Sequence, residues 1–181
     1  EAEKLTDVKE GASAFSWSPD GKSIAFTSND SLARDEEAKR TRRDDPQQFE
    51  GDERFSHVWI VDVATRKSHE VTHSTEWTVN GGASWSPDGS RLAISTRPTT
   101  LIRDERRSAF IVNAATGALT PLQTAGTVQA TPQWSPDGKS LAFTTLAQSH
   151  VAHADGMMER EQRSTHLTLY DVATGKATDL Y

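Results

Sequence analysis

Short apolar runs separated by polar turns recur along this chain with a fixed order. Ile24-Ala25-Phe26, Leu92-Ala93-Ile94 and Leu141-Ala142-Phe143 each follow one signature: Trp17-Ser18-Pro19-Asp20-Gly21-Lys22, Trp85-Ser86-Pro87-Asp88-Gly89-Ser90 and Trp134-Ser135-Pro136-Asp137-Gly138-Lys139. Pro sets its own φ for the second position of a type I turn, Asp tolerates the third and can bond nearby backbone, and Gly supplies the positive φ that reverses the chain. Flanked by apolar residues, the signature predicts a β-hairpin with a bulged turn. A second hairpin follows in each repeat, carried by Val58-Trp59-Ile60-Val61-Asp62, Phe110-Ile111-Val112-Asn113 and Leu167-Thr168-Leu169-Tyr170-Asp171. Each run turns through Ala-Thr-Gly, except that Arg66 replaces the glycine in the first, which predicts a looser turn there.

Two hairpins per repeat make a four-stranded antiparallel meander, and such meanders repeated along a chain are the blades of a β-propeller. The fold class expected is all-β: a β-propeller of about three four-stranded antiparallel blades in an incomplete ring. The central runs do not alternate with polar residues because neighbouring blades cover both faces, and the Trp before each turn is expected to fill the space between blades. No Gly-His or Trp-Asp dipeptide marks the repeats as WD-type, and the β-branched strands with their repeated turns exclude an α-solenoid.

The boundaries follow from the signatures. Residues 1–13 read as the end of a preceding blade, 14–80 as a blade with a charged insertion at 29–55, 81–127 as a second blade and 128–181 as a third. Trp17 and Trp85 stand farther apart than Trp85 and Trp134, whose spacing suits a repeat of about 40–50 residues, so the first blade carries the insertion. Three blades do not close a ring of about four to eight, and both ends of the chain read as cut from a longer polypeptide.

Composition narrows the partners. The chain has 181 residues, a formal net charge of −6 and no cysteine, so disulfide and thiolate chemistry are excluded. No basic stripe with interleaved aromatics points to nucleic acid, and no apolar stretch is long enough for a membrane span. The compartment, cytoplasmic or periplasmic, is left open.

The insertion core, Ser31 to Pro46, is rich in Ala, Glu, Lys and Arg. Asp35/Lys39 and Glu36/Arg40 are spaced for i,i+4 pairing, which predicts a short exposed helix or a loop. The third blade has a smaller interruption, His150 to Glu161, at the same point, and the second has Arg97 to Asp104. Such connections share one face of a propeller and suggest a contact surface. His150, His153 and Asp155 form a two-His-plus-carboxylate set whose spacing is too unspecific for a metal site; no metal or other cofactor is expected. Met157-Met158 reads as packing, His69 and His73 as lying on a strand and its exit, and Arg42-Arg43 and Arg106-Arg107 as solvated surface.

The pattern Leu-Thr, Trp-Ser-Pro-Asp-Gly-Lys-x-Ile-Ala-Phe and Asp-x-Ala-Thr-Gly-Lys resembles the TolB-type propeller repeat. The order of pieces is similar to the N-terminal propeller of prolyl oligopeptidase-family serine peptidases, in the acylaminoacyl-peptidase and dipeptidyl-peptidase-like branch. That resemblance implies a propeller capping an α/β-hydrolase catalytic domain of the same parent protein, admitting short peptide substrates and excluding folded proteins. It also implies a role for Glu36 and Glu37 as the acidic pair that binds a substrate's terminal ammonium; the residues alone read instead as a solvated helix face paired with Lys39 and Arg40. No Gly-x-Ser-x-Gly nucleophile elbow occurs in the chain, so no catalytic residue is assigned and this segment alone is expected to hydrolyse nothing. The alternatives are a TolB-like propeller acting as a protein-interaction module without enzymatic activity, and a polysaccharide-acting propeller, which would need a His/Arg/Glu cluster on one face.

Overall fold

A computed structural model of the chain describes residues 3–31, 54–98, 106–151 and 160–180. All regular structure among them is β. The first sheet contains β1 (Phe15–Trp17), β2 (Ser23–Asn29), β3 (Ser56–Asp62) and β4 (Ser68–Glu70), hydrogen-bonded in chain order. The second contains β5 (Thr78–Trp85), β6 (Arg91–Arg97), β7 (Ser108–Asn113) and β8 (Leu119–Pro121), again in chain order. The third contains β9 (Thr127–Val128), β10 (Gln133–Trp134), β11 (Ser140–Val151), β12 (Arg160–Asp171) and β13 (Lys176–Asp179), all antiparallel. These are three blades of an incomplete β-propeller.

The first strand of the third blade is broken into two pieces. Val128 pairs with Thr145 and Gln133 with Ala142, both on β11, while residues 129–132 loop out between them. Pro132 lies in that loop, fully buried, and has no N–H to give a ladder. The second blade meets the same point with a bulge between Val79 and Ala83, where Gly81 takes φ +86°.

The Trp-Ser-Pro-Asp-Gly turns are built alike. In the first, Ser18 Oγ donates to Asp20 Oδ1 at 2.7 Å and accepts from Ser23 N at 2.9 Å, and Gly21 N donates to Ser18 O at 2.9 Å. Ser86–Asp88 and Ser135–Asp137 repeat this arrangement. Asp20, Asp88 and Asp137 are all held below the usual carboxylate range, first by the serine hydroxyl and next by the following backbone N–H; Asp88 falls to about 2.

The second turn of each blade sits beside the first, tied by Val63 N to Lys22 O at 2.9 Å, Ala114 N to Ser90 O at 3.0 Å and Val172 N to Lys139 O at 2.9 Å. Both tight turns therefore occupy one end of each sheet. The turn at Arg66 is not looser. Arg66 adopts φ 59° and donates to Asp62 O at 2.8 Å, the same distance as Gly117 N to Asn113 O. Asp62 accepts from both Thr65 N and Thr65 Oγ1, as Asp171 does from Thr174 beside Gly175, so the turn keeps its bonding with a non-glycine residue in the left-handed region.

Side chains alternate across each strand, and this builds two cores between the three sheets. Ala25, Val58 and Ile60 of the first blade pack against Val79, Ala83, Leu92, Ile94 and Val112 of the second. Ala93, Ala109 and Ile111 of the second pack against Val128, Leu141, Phe143 and Tyr170 of the third. The central strand thus presents a small residue to the following blade and large ones to the preceding blade, which explains the unbroken apolar run.

Trp85 and Trp134 fill the inter-blade spaces as expected, and each indole also donates to the preceding blade: Trp85 Nε1 to Ser16 O at 3.2 Å and Trp134 Nε1 to Ser84 O at 3.1 Å. Trp17 departs from the pattern. It is 54% exposed, since no sheet among the described residues lies on its side of the first blade.

Candidate functional site

With both tight turns at one end of each sheet, the β2–β3, β6–β7 and β11–β12 connections all leave from the other. The charged insertion and both smaller interruptions therefore emerge from a common end of the blades. The third interruption is narrower than its sequence suggests. β11 and β12 continue as a ladder to the Val151↔Arg160 pair, because an antiparallel hairpin is held by backbone bonds that polar residues make as well as apolar ones. Beyond the Leu146↔Thr127 pair, no strand other than β12 pairs with β11 among the described residues.

At this end a cleft of about 410 Å³ opens between the first and second blades. Its wall includes Asn29, Arg54, Ser56, Thr78, Asn80 and Arg97. Ser56 N donates to Thr78 Oγ1 at 2.8 Å, joining β3 of one blade to β5 of the next. The Arg54 guanidinium is occupied by Glu10, Nη1 to Oε2 at 2.9 Å. Arg97 lines the cleft, and its buried Nε has no hydrogen-bond partner. A cation flanked by amides and hydroxyls suits a carboxylate or another small anion.

Beside this end His57 is buried between two carboxylates. Its Nε2 lies 3.1 Å from Asp30 Oδ1, and its Nδ1 lies 3.8 Å from Glu70 Oε1, too far for a hydrogen bond. Glu70 instead reaches His73 Nδ1 at 3.2 Å. His69 and His73 do lie on β4 and its exit, and the structure places the His73 ring against Glu70.

A second set lies on the third blade. Ser164 Oγ is 2.8 Å from His166 Nε2, His166 Nδ1 is 3.4 Å from Asp179 Oδ2, and Asp179 Oδ1 accepts from Thr168 at 2.7 Å. The order is that of a serine–imidazole–carboxylate relay, but Ser164 sits on a regular strand and not on the sharp turn that exposes a nucleophile. The sequence reading missed this set; Ser-x-His-x-Thr alternation on a strand opposite an Asp was the available signal.

Of the residues singled out from sequence, Glu36, Glu37, Arg42, Arg43, His153, Asp155, Met157 and Met158 lie outside the described residues. His150 contributes backbone pairing to Glu161. Arg107 is not simple surface: its Nη1 donates to Gln129 O at 2.9 Å and straps the second blade to the third. Among the described residues no group of three or more His, Asp or Glu could hold a metal ion, and no helix is long and apolar enough to cross a membrane.

Comparison with known proteins places the fold. No family model matches the chain, and no curated protein matches it. Solved structures do. TolB from Acinetobacter baumannii superposes with a TM-score of 0.57 at 19% identity, covering 94% of this chain and 32% of that one. A TolB structure from Agrobacterium tumefaciens gives 0.59 at 19% identity, covering 96% and 50%. A prolyl endopeptidase, from a study of inter-domain dynamics in two such enzymes, gives 0.56 at 14% identity, covering 94% and 22%. The chain spans half or less of the length of each. The likeness establishes the propeller fold, of the type found in TolB proteins and in prolyl oligopeptidase-family peptidases.

Proposed function

We propose that this chain is a non-catalytic, substrate-gating propeller segment of a serine peptidase that cleaves short peptides, with hydrolysis carried out by an α/β-hydrolase catalytic domain of the same parent protein. The observation that carries this reading is the cleft at the connection-bearing end, where Arg97 offers a cation among amides and hydroxyls. A short peptide brings a carboxylate that such a cation binds, and an ammonium that an acidic pair binds. Glu36 and Glu37, in the insertion that leaves from the same end, are proposed as that pair.

The test is kinetic. In the parent protein, replacing Glu36 and Glu37 with Gln is expected to raise KM for peptides with a free N-terminus and to spare N-acylated ones. An unchanged KM rules the pair out. A parent polypeptide without a Gly-x-Ser-x-Gly motif followed by Asp and His overturns the peptidase reading.

The second reading, a TolB-like propeller that binds other proteins and catalyses nothing, draws on a different observation. β11 runs from Ala147 to Val151 with only β12 beside it among the described strands, an arrangement to which a partner strand can add. Stable capture of a folded protein by the parent, with no peptide hydrolysis, would favour it.

A further inference from the structure

We propose that the cleft between the Trp-Ser-Pro-Asp-Gly turns of the first and second blades binds a guanidinium group, such as the side chain of an arginine. The cleft measures about 370 Å³, and Asp20, Ser23, Trp85 and Asp88 are part of its wall. That volume lies within the about 300–1,000 Å³ usual for small-ligand sites. It opens at the tight-turn end of the blades, opposite the end that carries the Arg97 cleft. The site therefore goes beyond the proposed function.

The occupant is read from the next interface along the chain. There the same parts recur one blade on: Asp88 and Asp137 in the two turns, Trp134 in the place of Trp85, and Arg91 in the place of Ser23. The Arg91 guanidinium lies over the Trp134 ring, its central carbon 4.7 Å from the centroid. One repeat of the structure thus shows which group an indole between two such turns accepts. In the other repeat the serine side chain ends at its hydroxyl, and Trp85 borders an open cleft.

The chemistry of the wall agrees with that occupant. An indole face attracts a cation through its ring quadrupole, and a planar guanidinium stacks on it better than a compact ammonium does. Two carboxylates flank the indole, each fixed by its own turn. Asp20 Oδ1 accepts from Ser18 Oγ at 2.7 Å and from Lys22 N at 3.0 Å. Asp88 Oδ1 accepts from Ser86 Oγ and, at 3.0 Å, from Ser90 N. Hydroxyls and backbone N–H groups are uncharged donors, so they orient both carboxylates without neutralising them. A guest guanidinium over Trp85 would meet two preset acceptors for charge-assisted hydrogen bonds.

The test is equilibrium dialysis of the full-length protein against labelled acetyl-Gly-Arg-Gly-amide. This probe carries neither the terminal ammonium nor the carboxylate on which the proposed function depends, so its result is independent of that reading. Binding is expected with a Kd on the order of 1 mM, and the citrulline analogue, alike in shape but uncharged, is expected not to bind. Methylguanidinium separates the two sources of the group. Tighter binding of the peptide assigns an arginine of a protein or peptide partner, and equal binding assigns a small guanidinium compound. Ser23→Arg places the chain's own guanidinium over Trp85 and should remove one site; Arg91→Ser vacates the Trp134 ring and should add one. Asp20→Asn keeps an acceptor for the Ser18 hydroxyl and should weaken binding about tenfold. No binding by the wild-type protein, equal binding of the citrulline peptide, or a number of sites unchanged by Ser23→Arg or by Arg91→Ser overturns the proposal.

Discussion

The guanidinium of Arg91 lies over the indole of Trp134, its central carbon 4.7 Å from the ring centroid. Arg91 opens β6 of the second blade and reaches across to the third. The equivalent residue of the first blade is Ser23, which opens β2 and faces Trp85. The consequence is a cleft of about 370 Å³ between the tight turns of the first two blades, bordered by Ser23, Trp85, Asp20 and Asp88. One interface is capped by a cation and the other is open for want of a long side chain.

Ser23→Arg should copy the cap. The new guanidinium would sit over Trp85 and near two carboxylates held ionised by their turns. The expected gain is about 0.5–1 kcal/mol, the usual worth of a partly exposed cation–π contact, read as a higher urea midpoint at unchanged slope. The reciprocal change, Arg91→Ser, should lose a similar amount. A Ser23→Arg chain no more stable than the parent would show that the Arg91 contact is incidental.

The three signature tryptophans should differ in what they contribute to folding. Trp85→Phe and Trp134→Phe each remove the indole donor to a strand carbonyl of the preceding blade, a loss of about 1 kcal/mol apiece. Trp17→Phe should change the stability of the single chain by less than about 0.5 kcal/mol, as expected for an exposed position. Urea titration in dilute solution measures all three. Equal losses at the three positions would contradict the asymmetry of burial.

That asymmetry also marks what could be read from the sequence. The turns were legible because Ser, Pro, Asp and Gly each have one job there, and the structure repeats their bonds three times. The inter-blade role of Trp85 and Trp134 was legible for the same reason. Trp17 was not, because the same hexapeptide surrounds it and only the presence of a neighbouring sheet decides its exposure. Arg66 misled because a left-handed residue other than glycine signals strain, whereas the turn keeps the Thr65–Asp62 bonds that its counterpart makes with glycine in place. The continuation of β11 and β12 to Val151 and Arg160 escaped a reading based on apolar periodicity, since most residues there are polar and all are paired through backbone. Of the candidate sites, Glu36 and Glu37 rest on resemblance, whereas the Arg97 cleft arises from two blades meeting and has no linear signature.

Glycines in the second turns are equivalent by backbone and unequal by surroundings. Gly117 and Gly175 take φ +71° and +69°. A Cβ on Gly117 would stand 2.4 Å from Val71 O, a backbone atom of the first blade, while one on Gly175 would meet the Tyr170 hydroxyl at 3.4 Å. Both Ala variants bear the left-handed cost of about 1–2 kcal/mol. Gly117→Ala must also push the first blade away, so its loss should exceed that of Gly175→Ala by at least about 1 kcal/mol. Equal denaturation midpoints would mean that the close approach of Gly117 to Val71 relaxes without cost.

Acid should loosen the turns before it affects the cores. Asp20, Asp88 and Asp137 are depressed first by a serine hydroxyl; Asp62 and Asp171 are depressed first by a threonine backbone N–H and then by its hydroxyl. A carboxyl whose folded pKa lies below its unfolded value contributes stability in full above the unfolded value. That contribution declines as pH falls from the ordinary 3.8 toward the folded value, which for Asp88 is about 2. Stability is therefore expected to hold from neutrality down to about pH 4.5 and to drop steeply between about 4 and 2. Asp88→Asn should flatten part of that drop, since Asn still accepts from the Ser86 hydroxyl but does not titrate. Urea midpoints measured across this range for both chains provide the check; the same acid slope with and without Asp88 would remove that turn as a source of the effect.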